Sequence, residues 1–146
     1  ESLIGLVFAS LDAENTLLVD GFPRVYTQKH MFDHAMKKVN RDFVVFELVI
    51  SEQEAIQRLA GRSICPSCGA TYSALLHGDI THCPLDSAVL QVRDDDRSQE
   101  AITERFKLFI KDTKPGLEDY KKEWKLVQID GTQSIEAITQ EIISYL

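Results

Sequence analysis

The 146-residue chain has few of the features that mark secreted, membrane-spanning or nucleic-acid-binding proteins. It contains only three cysteines, and its formal net charge of -7 leaves no excess of lysine and arginine. No apolar run approaches the roughly 20 residues that span a bilayer. The N-terminus has no basic segment followed by an apolar core and a cleavage site. We therefore expect a cytoplasmic protein that binds neither nucleic acid nor a membrane surface.

The three cysteines are concentrated in one stretch. Cys65-x2-Cys68 is followed, after a spacer of 14 residues, by Cys83-x2-Asp86. Each pair can present two ligands, and four soft or borderline donors are what zinc binds tetrahedrally. The alternative is that the thiols are free structural cysteines and Asp86 is an ordinary loop carboxylate. The repeated spacing favours a structural zinc ion.

The fourth ligand of this zinc site has three candidates. Asp86 completes the second pair, whereas His82 is adjacent to Cys83 and would strain a shared chelate. His77 is also close in sequence. We favour Asp86, and we expect metal binding to fold residues 63–92, a loop-rich excursion with almost no core of its own.

Apolar patterning predicts strands that alternate with helices. Short apolar and β-branched runs predict strands at 16–20, 43–50 and 126–129. Helical spacing predicts helices over 2–11, 27–39, 51–61, 97–112 and 117–124, and a last helix from 135. Ser51 and Ser134 are predicted N-caps, and Pro115 is predicted to interrupt the fourth helix. This alternation is typical of an α/β fold with an open parallel sheet, whose ligands bind beyond the carboxyl ends of the strands.

Five arginines are the strongest candidates for chemistry outside the metal site. They are Arg24, Arg58, Arg62, Arg93 and Arg105. In an acidic protein such a set predicts a phosphate clamp, because planar guanidinium groups bind phosphoryl oxygens through two hydrogen bonds. The alternative is that each arginine forms a surface salt bridge. Asp20, at the end of the first predicted strand, is a candidate for holding magnesium or, alternatively, for capping the next turn.

These segments together resemble the adenylate kinase family, specifically the bacterial type with a zinc-bearing lid. The matching segments are Leu18-Val-Asp20-Gly-Phe-Pro-Arg24 with Gln28, Arg58-Leu-Ala-Gly-Arg62, Ile64-Cys-Pro-Ser-Cys-Gly-Ala-Thr-Tyr72, Cys83-Pro-Leu-Asp86, Arg93-Asp-Asp-Asp96, Thr113-Lys-Pro115, Tyr120 and Ile129-Asp-Gly131. The resemblance implies a P-loop NTPase-like parallel sheet with flanking helices and a small zinc-binding lid. The core would comprise 1–62 and 93–146, and the lid 63–92.

The resemblance implies reversible phosphoryl transfer from MgATP to AMP, which gives two ADP. By matching position, the substrate-binding residues are Gly21, Arg24, Gln28 and Arg58. Arg24 would hold the AMP phosphate, Gln28 would read the adenine of AMP, and Arg58 would lie against the ATP adenine. The parent protein would be a monomer.

The resemblance also implies roles around the transferring phosphoryl group. Arg62, Arg93 and Arg105 would gather round it, and Asp20 would help to hold magnesium through water. The acidic residues that position the lid arginines would be Asp95 and Asp96. A closing lid would keep water from accepting the phosphoryl group.

One family feature has no counterpart in these 146 residues. The phosphate loop G-x-x-x-x-G-K-[ST] is not found, so we expect the N-terminal third of the family fold to be missing and the chain alone to be inactive. The missing strand would separate the two strands predicted near 16–20 and 43–50, and the uncovered sheet would favour association. Two rival hypotheses are a non-catalytic zinc-stabilised module that binds a nucleotide or a partner, and a kinase with another nucleoside monophosphate acceptor.

Overall fold

A computed structural model describes residues 16–93, 96 and 98–146. The helix predicted over 2–11 lies outside this part of the chain. The described helices are α1 (Tyr26–Val39), α2 (Glu52–Ala60), α3 (Ala74–His77), α4 (Gln99–Leu108), a π-helical turn (Phe109–Thr113), α5 (Lys114–Lys122) and α6 (Ile135–Ile143). The described strands are β1 (Val45–Val49), β2 (Arg62–Ile64), β3 (Thr71–Ser73), β4 (Gln91–Val92) and β5 (Leu126–Asp130).

The predicted α/β class is confirmed by a parallel pair of strands with flanking helices. β1 and β5 pair in parallel, in a register that runs from Val45 opposite Leu126 to Val49 opposite Asp130. Both strands are rich in β-branched residues, which suit a pleated sheet surface. Helices α5 and α6 pack against β5.

The strand predicted at 16–20 is wrong. These residues have no regular secondary structure, and the Leu18 side chain is 75% exposed. A strand needs a neighbour that satisfies its backbone hydrogen bonds, and in the described part of the chain β1 and β5 pair only with each other. An apolar run is therefore not sufficient for a strand when no partner lies beside it.

The chain divides into two compact units. The first extends through Val49 and resumes over Phe109–Leu146, whereas the second is Ile50–Leu108. The second unit holds a three-stranded antiparallel sheet in the order β3-β2-β4, together with α2 and α4, which pack on each other. Its boundaries enclose a wider stretch than the predicted lid, and the division at 63 and 92 remains a prediction.

The core of the first unit is centred on Tyr120, which is 1% exposed. Its ring meets the edge of Phe43, with ring centroids 5.6 Å apart, and its hydroxyl donates to Asp33 at 2.9 Å. The buried Lys29 ammonium lies 4.3 Å from the centre of the Tyr120 ring and pairs with Asp33 at 2.7 Å. A buried charge is tolerated here because a carboxylate and an aromatic face replace its hydration.

Two predicted helix caps are confirmed. Ser51 Oγ accepts from the Glu54 amide at 3.1 Å, and Ser134 Oγ accepts from the Ala137 amide at 3.2 Å. The interruption predicted at Pro115 takes the form of a π-helical turn that ends just before α5, so the proline lies in the first turn of that helix, where no amide hydrogen is needed. None of the described helices has the length and apolar content required to cross a membrane.

Candidate metal centre and phosphate-binding residues

The three cysteines and Asp86 lie together in the second unit. Their ligand atoms are all within 4.8 Å of one another. The Cys68 and Cys83 sulfurs are 3.7 Å apart, and both Asp86 oxygens lie 3.4 Å from the Cys65 sulfur. A zinc tetrahedron with bonds of about 2.3 Å to sulfur and about 2.1 Å to oxygen has edges of about 3.8 and 3.6 Å. The donor set therefore fits a zinc ion in both chemistry and spacing.

The first pair of ligands is held by a tight loop that leads from β2 to β3. The Cys65 amide donates to Ala70 O at 2.8 Å, and the Gly69 amide donates back to Cys65 O at 3.0 Å. Gly69 has a φ of +76°, which a glycine adopts without steric cost. This loop directs both sulfurs of the Cys-x2-Cys pair to the same side.

The second pair repeats this backbone pattern. The Cys83 amide donates to Ala88 O at 2.8 Å, and the Ser87 amide donates to Cys83 O at 2.8 Å. Ser87 occupies the position equivalent to Gly69 and has a φ of +62°. The two loops are therefore related in geometry as well as in ligand spacing. The repeated ligand spacing was visible in the sequence. The repeated loop geometry was not, because serine is uncommon at a position with positive φ.

Hydrogen bonds favour the anionic form of two of the four grouped side chains, Cys83 and Asp86. At Cys68 the hydrogen bond from the Ala70 amide is outweighed by burial and by hydrogen bonds with Cys65 and Cys83, which raise the pKa of Cys68 to about 11. Burial opposes ionisation of Cys83, but hydrogen bonds from the Tyr72 hydroxyl and the Leu85 and Asp86 amides outweigh it, and the pKa of Cys83 is lowered. The Ala88 amide, 3.0 Å from Asp86 Oδ1, is the main cause that lowers the pKa of Asp86 to about 2. A deprotonated thiol and carboxylate are the forms that bind metal.

Neither alternative histidine belongs to the described cluster. His77 Nδ1 contacts the backbone of Ser73 at 3.1–3.2 Å, and His82 Nδ1 contacts Thr81 Oγ1 at 2.9 Å. Both side chains are exposed. Among the three candidates for the fourth ligand, Asp86 alone lies with the cysteines.

Two of the predicted arginines meet at one buried carboxylate in the second unit. Arg62 donates to Asp96 Oδ2 from Nε at 2.9 Å and from Nη2 at 2.6 Å. Arg105 Nη1 donates to Asp96 Oδ1 at 2.6 Å. The Asp96 side chain is fully buried, so these charge-assisted bonds hold two guanidinium groups next to each other.

The other predicted residues of the second unit have different surroundings. Arg58 pairs with Glu54 at 2.7 Å on the surface of α2, as the salt-bridge alternative predicts. Arg93 is half-buried and directly follows β4. Asp95 lies outside the described residues.

A second group of predicted residues is assembled in the first unit, at the start of α1. Arg24 Nε donates to Gly21 O at 2.8 Å, and a Cβ at Gly21 would lie 2.6 Å from Arg24 Nη2. Gln28 Oε1 accepts from the Arg24 and Val25 amides at 2.8 and 3.3 Å. The φ of +67° favours glycine at 21, and a Cβ there would displace the end of the flexible Arg24 side chain from its observed position. Asp20 is exposed beside this group.

One contact was not predicted as part of the Arg24 group. Thr113 Oγ1, in the π-helical turn, donates to Arg24 O at 2.7 Å. The turn and the Arg24 loop are therefore fastened to each other within the first unit. The sequence signal was the Thr113-Lys-Pro115 segment, although its hydrogen-bond partner could not be read from it.

Three curated relatives, each named adenylate kinase, align with most or all of the chain. The Petrotoga mobilis protein is 33% identical over 149 residues, which cover 100% of this chain and 69% of the relative. The Archaeoglobus fulgidus protein is 32% identical over 152 residues, covering 100% and 70%. A Staphylococcus aureus protein is 34% identical over 138 residues, covering 92% and 64%. No protein-family model matches the chain.

Proposed function

The chain belongs to the adenylate kinase family, and from this premise we propose that its parent protein transfers a phosphoryl group from MgATP to AMP and forms two ADP. The observation that carries this proposal is the pair of guanidinium groups on Asp96. Developing charge on a transferring phosphoryl group is stabilised by donors that are in place before the reaction begins.

Asp96 acts by fixing Arg62 and Arg105 in advance. Each guanidinium carries five N–H donors, so an arginine that uses one or two of them on Asp96 keeps others for phosphoryl oxygens. Holding long side chains before substrate binds avoids part of the entropy cost of ordering them. Arg93 joins this group in the proposal, Asp95 helps Asp96 to position it, and Arg58 lies against the ATP adenine.

On the acceptor side, Arg24 holds the AMP phosphate and Gln28 reads the base. The Gln28 carbonyl is occupied by two backbone amides, which leaves the side-chain NH2 as the group presented to a ligand. Adenine offers an acceptor at N1, whereas guanine offers an N–H donor there. Gln28 therefore supports AMP over GMP as the acceptor. This argues against the rival hypothesis of a kinase that phosphorylates another nucleoside monophosphate.

A coupled assay of ADP formation tests the reaction and the acceptor together. The parent protein should convert ATP and AMP far faster than ATP and GMP. Gln28→Glu should weaken this preference, because it removes the side-chain NH2 but keeps an oxygen that accepts from the Arg24 and Val25 amides. The isolated 146-residue chain should form no ADP, because it contains no G-x-x-x-x-G-K-[ST] loop. AMP binding by the parent without turnover would support the non-catalytic alternative. Turnover by the isolated chain would refute the inactivity claim.

We further propose that the Cys65, Cys68, Cys83 and Asp86 cluster holds a structural zinc ion, and that Asp20 helps to hold magnesium through water. Zinc with four protein ligands has no open position, so its contribution is to the folding of residues 63–92, the proposed lid. Bound zinc per chain should approach one and fall in Asp86→Ala, whereas His82→Ala should leave it unchanged. An unchanged zinc content in Asp86→Ala would exclude this ligand. A cytoplasmic location and a monomeric parent complete the proposal.

A further inference from the structure

We propose that Tyr72 is a positioning residue for the metal centre, whose hydroxyl donates a hydrogen bond to the Cys83 thiolate and strengthens metal retention. The inference rests on the proposed zinc site. The Tyr72 oxygen lies 3.2 Å from the Cys83 sulfur. When the sulfur is a thiolate ligand it has no proton to give, so the hydroxyl is the donor.

The charge of the cluster explains why a donor is needed here. Three thiolates and one carboxylate carry four negative charges, of which a divalent ion neutralises two. Two charges therefore remain, shared between two exposed ligands, Cys68 and Asp86, and two buried ones, Cys65 and Cys83, which are 1% and 2% exposed. Buried excess charge is costly unless hydrogen-bond donors point at it.

Backbone amides supply part of this compensation. The Cys68 amide donates to the Cys65 sulfur at 3.4 Å, and the Ala88 amide donates to Asp86. The Tyr72 hydroxyl adds a side-chain donor on the Cys83 side of the site. Unlike the amides, which any residue would provide, this donor depends on the identity of one side chain.

The surrounding structure fixes the orientation of the hydroxyl. Tyr72 lies in β3 opposite Ser63 of β2 and is 9% exposed. Its ring packs with the two buried cysteines, and the His77 ring meets it edge-on with centroids 5.4 Å apart. A phenylalanine would fill the same space, so packing alone does not account for the hydroxyl.

Tyr72→Phe removes the donor and keeps the ring. Zinc affinity measured by competition with a chelating dye should fall by about 10- to 100-fold, the range typical of lost outer-shell hydrogen bonds to metal ligands. Tyr26→Phe is the matched control, because its hydroxyl donates to Asp119 in the first unit and should not alter zinc affinity. Circular dichroism of the zinc-loaded variants should match that of the wild type.

A second readout separates the hydrogen bond from general packing. With cobalt alone bound, the thiolate-to-cobalt charge-transfer band should move to lower energy in Tyr72→Phe, because the sulfur loses a stabilising donor. In the zinc-loaded wild type, the hydroxyl proton of Tyr72 should exchange slowly enough to be seen by NMR.

Two results would overturn the inference in distinguishable ways. Equal zinc affinity and an unshifted cobalt band in Tyr72→Phe would remove the role of Tyr72 and leave the metal centre intact. A wild-type chain that binds neither zinc nor cobalt would remove both.

Discussion

At the scale of single residues, Trp124 adopts a backbone conformation that its side chain does not favour. Its φ is +59°, and its amide donates to Lys121 O at 3.2 Å while the Lys125 amide donates to Tyr120 O at 2.9 Å. This is the hydrogen-bond pattern that ends a helix through a left-handed residue, a position usually filled by glycine or asparagine. Asn40, with a φ of +52°, fills the corresponding position after α1.

We predict that Trp124→Gly stabilises the protein. The substitution relieves a left-handed conformation that costs roughly 1–2 kcal/mol for an ordinary L-residue, and it loses little packing because Trp124 is 95% exposed. After the greater unfolded-state entropy of glycine is subtracted, the free energy of unfolding should rise by about 1 kcal/mol. Urea unfolding followed by circular dichroism measures the change. Trp124→Ala keeps the unfavourable conformation, so an equal gain in that variant would contradict the explanation.

At the scale of elements, Asp96 connects the start of β2 to α4. Its fully buried carboxylate accepts from Arg62 in the strand and from Arg105 in the helix. This carboxylate therefore links the two elements through charge-assisted hydrogen bonds. Its removal should therefore affect stability as well as any phosphate chemistry.

We predict that Asp96→Asn lowers the free energy of unfolding by about 2 kcal/mol. Hydrogen bonds to charged groups contribute roughly 1.5–3 kcal/mol. The side chains of Arg62 and Arg105 are 23% and 36% exposed, so solvent screening makes the upper end of this range too large. Glu104→Gln is the control, because Glu104 forms an exposed pair with Lys107 and should change stability by less than about 0.5 kcal/mol. Similar effects in the two variants would show that Asp96 is not a structural link.

Elements with strong local signals could be predicted from the sequence, and elements that depend on partners could not. β1 and β5 carry β-branched runs, and the serine caps mark α2 and α6. The run at 16–20 has the same composition as a strand but has no described partner. The strand predicted there from composition alone was therefore wrong. The π-helical turn shifts a hydrogen-bond register, which leaves no clear trace in the spacing of apolar residues.

The candidate site likewise has one part that local sequence predicted and another that depends on contacts made by folding. The cysteine spacing was enough to predict which four donors assemble. The contact of Tyr72 with Cys83 could not be predicted, since it depends on the antiparallel register of β3 against β2. The shared acceptor of Arg62 and Arg105 is likewise brought together across 34 residues of sequence by folding.

At the scale of the whole molecule, the two units are stabilised differently. The first buries large side chains, including Tyr120 and Ile129. The buried cluster of the second consists of Tyr72 and two cysteines of the proposed zinc site, with small or half-buried residues around it. Metal binding should therefore contribute much of the stability of the second unit and little of the first.

We predict that a chelator abolishes amide protection around the cysteine loops and leaves β1 and β5 protected. Removing zinc takes away the ion proposed to join four ligands in a small core, which favours local unfolding. Hydrogen exchange measured by mass spectrometry, with and without chelator, reports both regions in one experiment. Equal loss of protection in β5 would indicate that the units unfold together.

The claim on which the account depends is that guanidinium groups held by Asp96 stabilise a transferring phosphoryl group. The most direct test is kcat for ADP formation from ATP and AMP in the proposed parent kinase carrying Arg62→Lys, which keeps the charge but loses the planar pair of donors. We predict a fall on the order of 100-fold, with circular dichroism unchanged. Lys107→Ala, an exposed change on α4, should retain the wild-type rate. A kcat for Arg62→Lys within about twofold of the wild type would contradict the account, because a lost transition-state donor should cost far more.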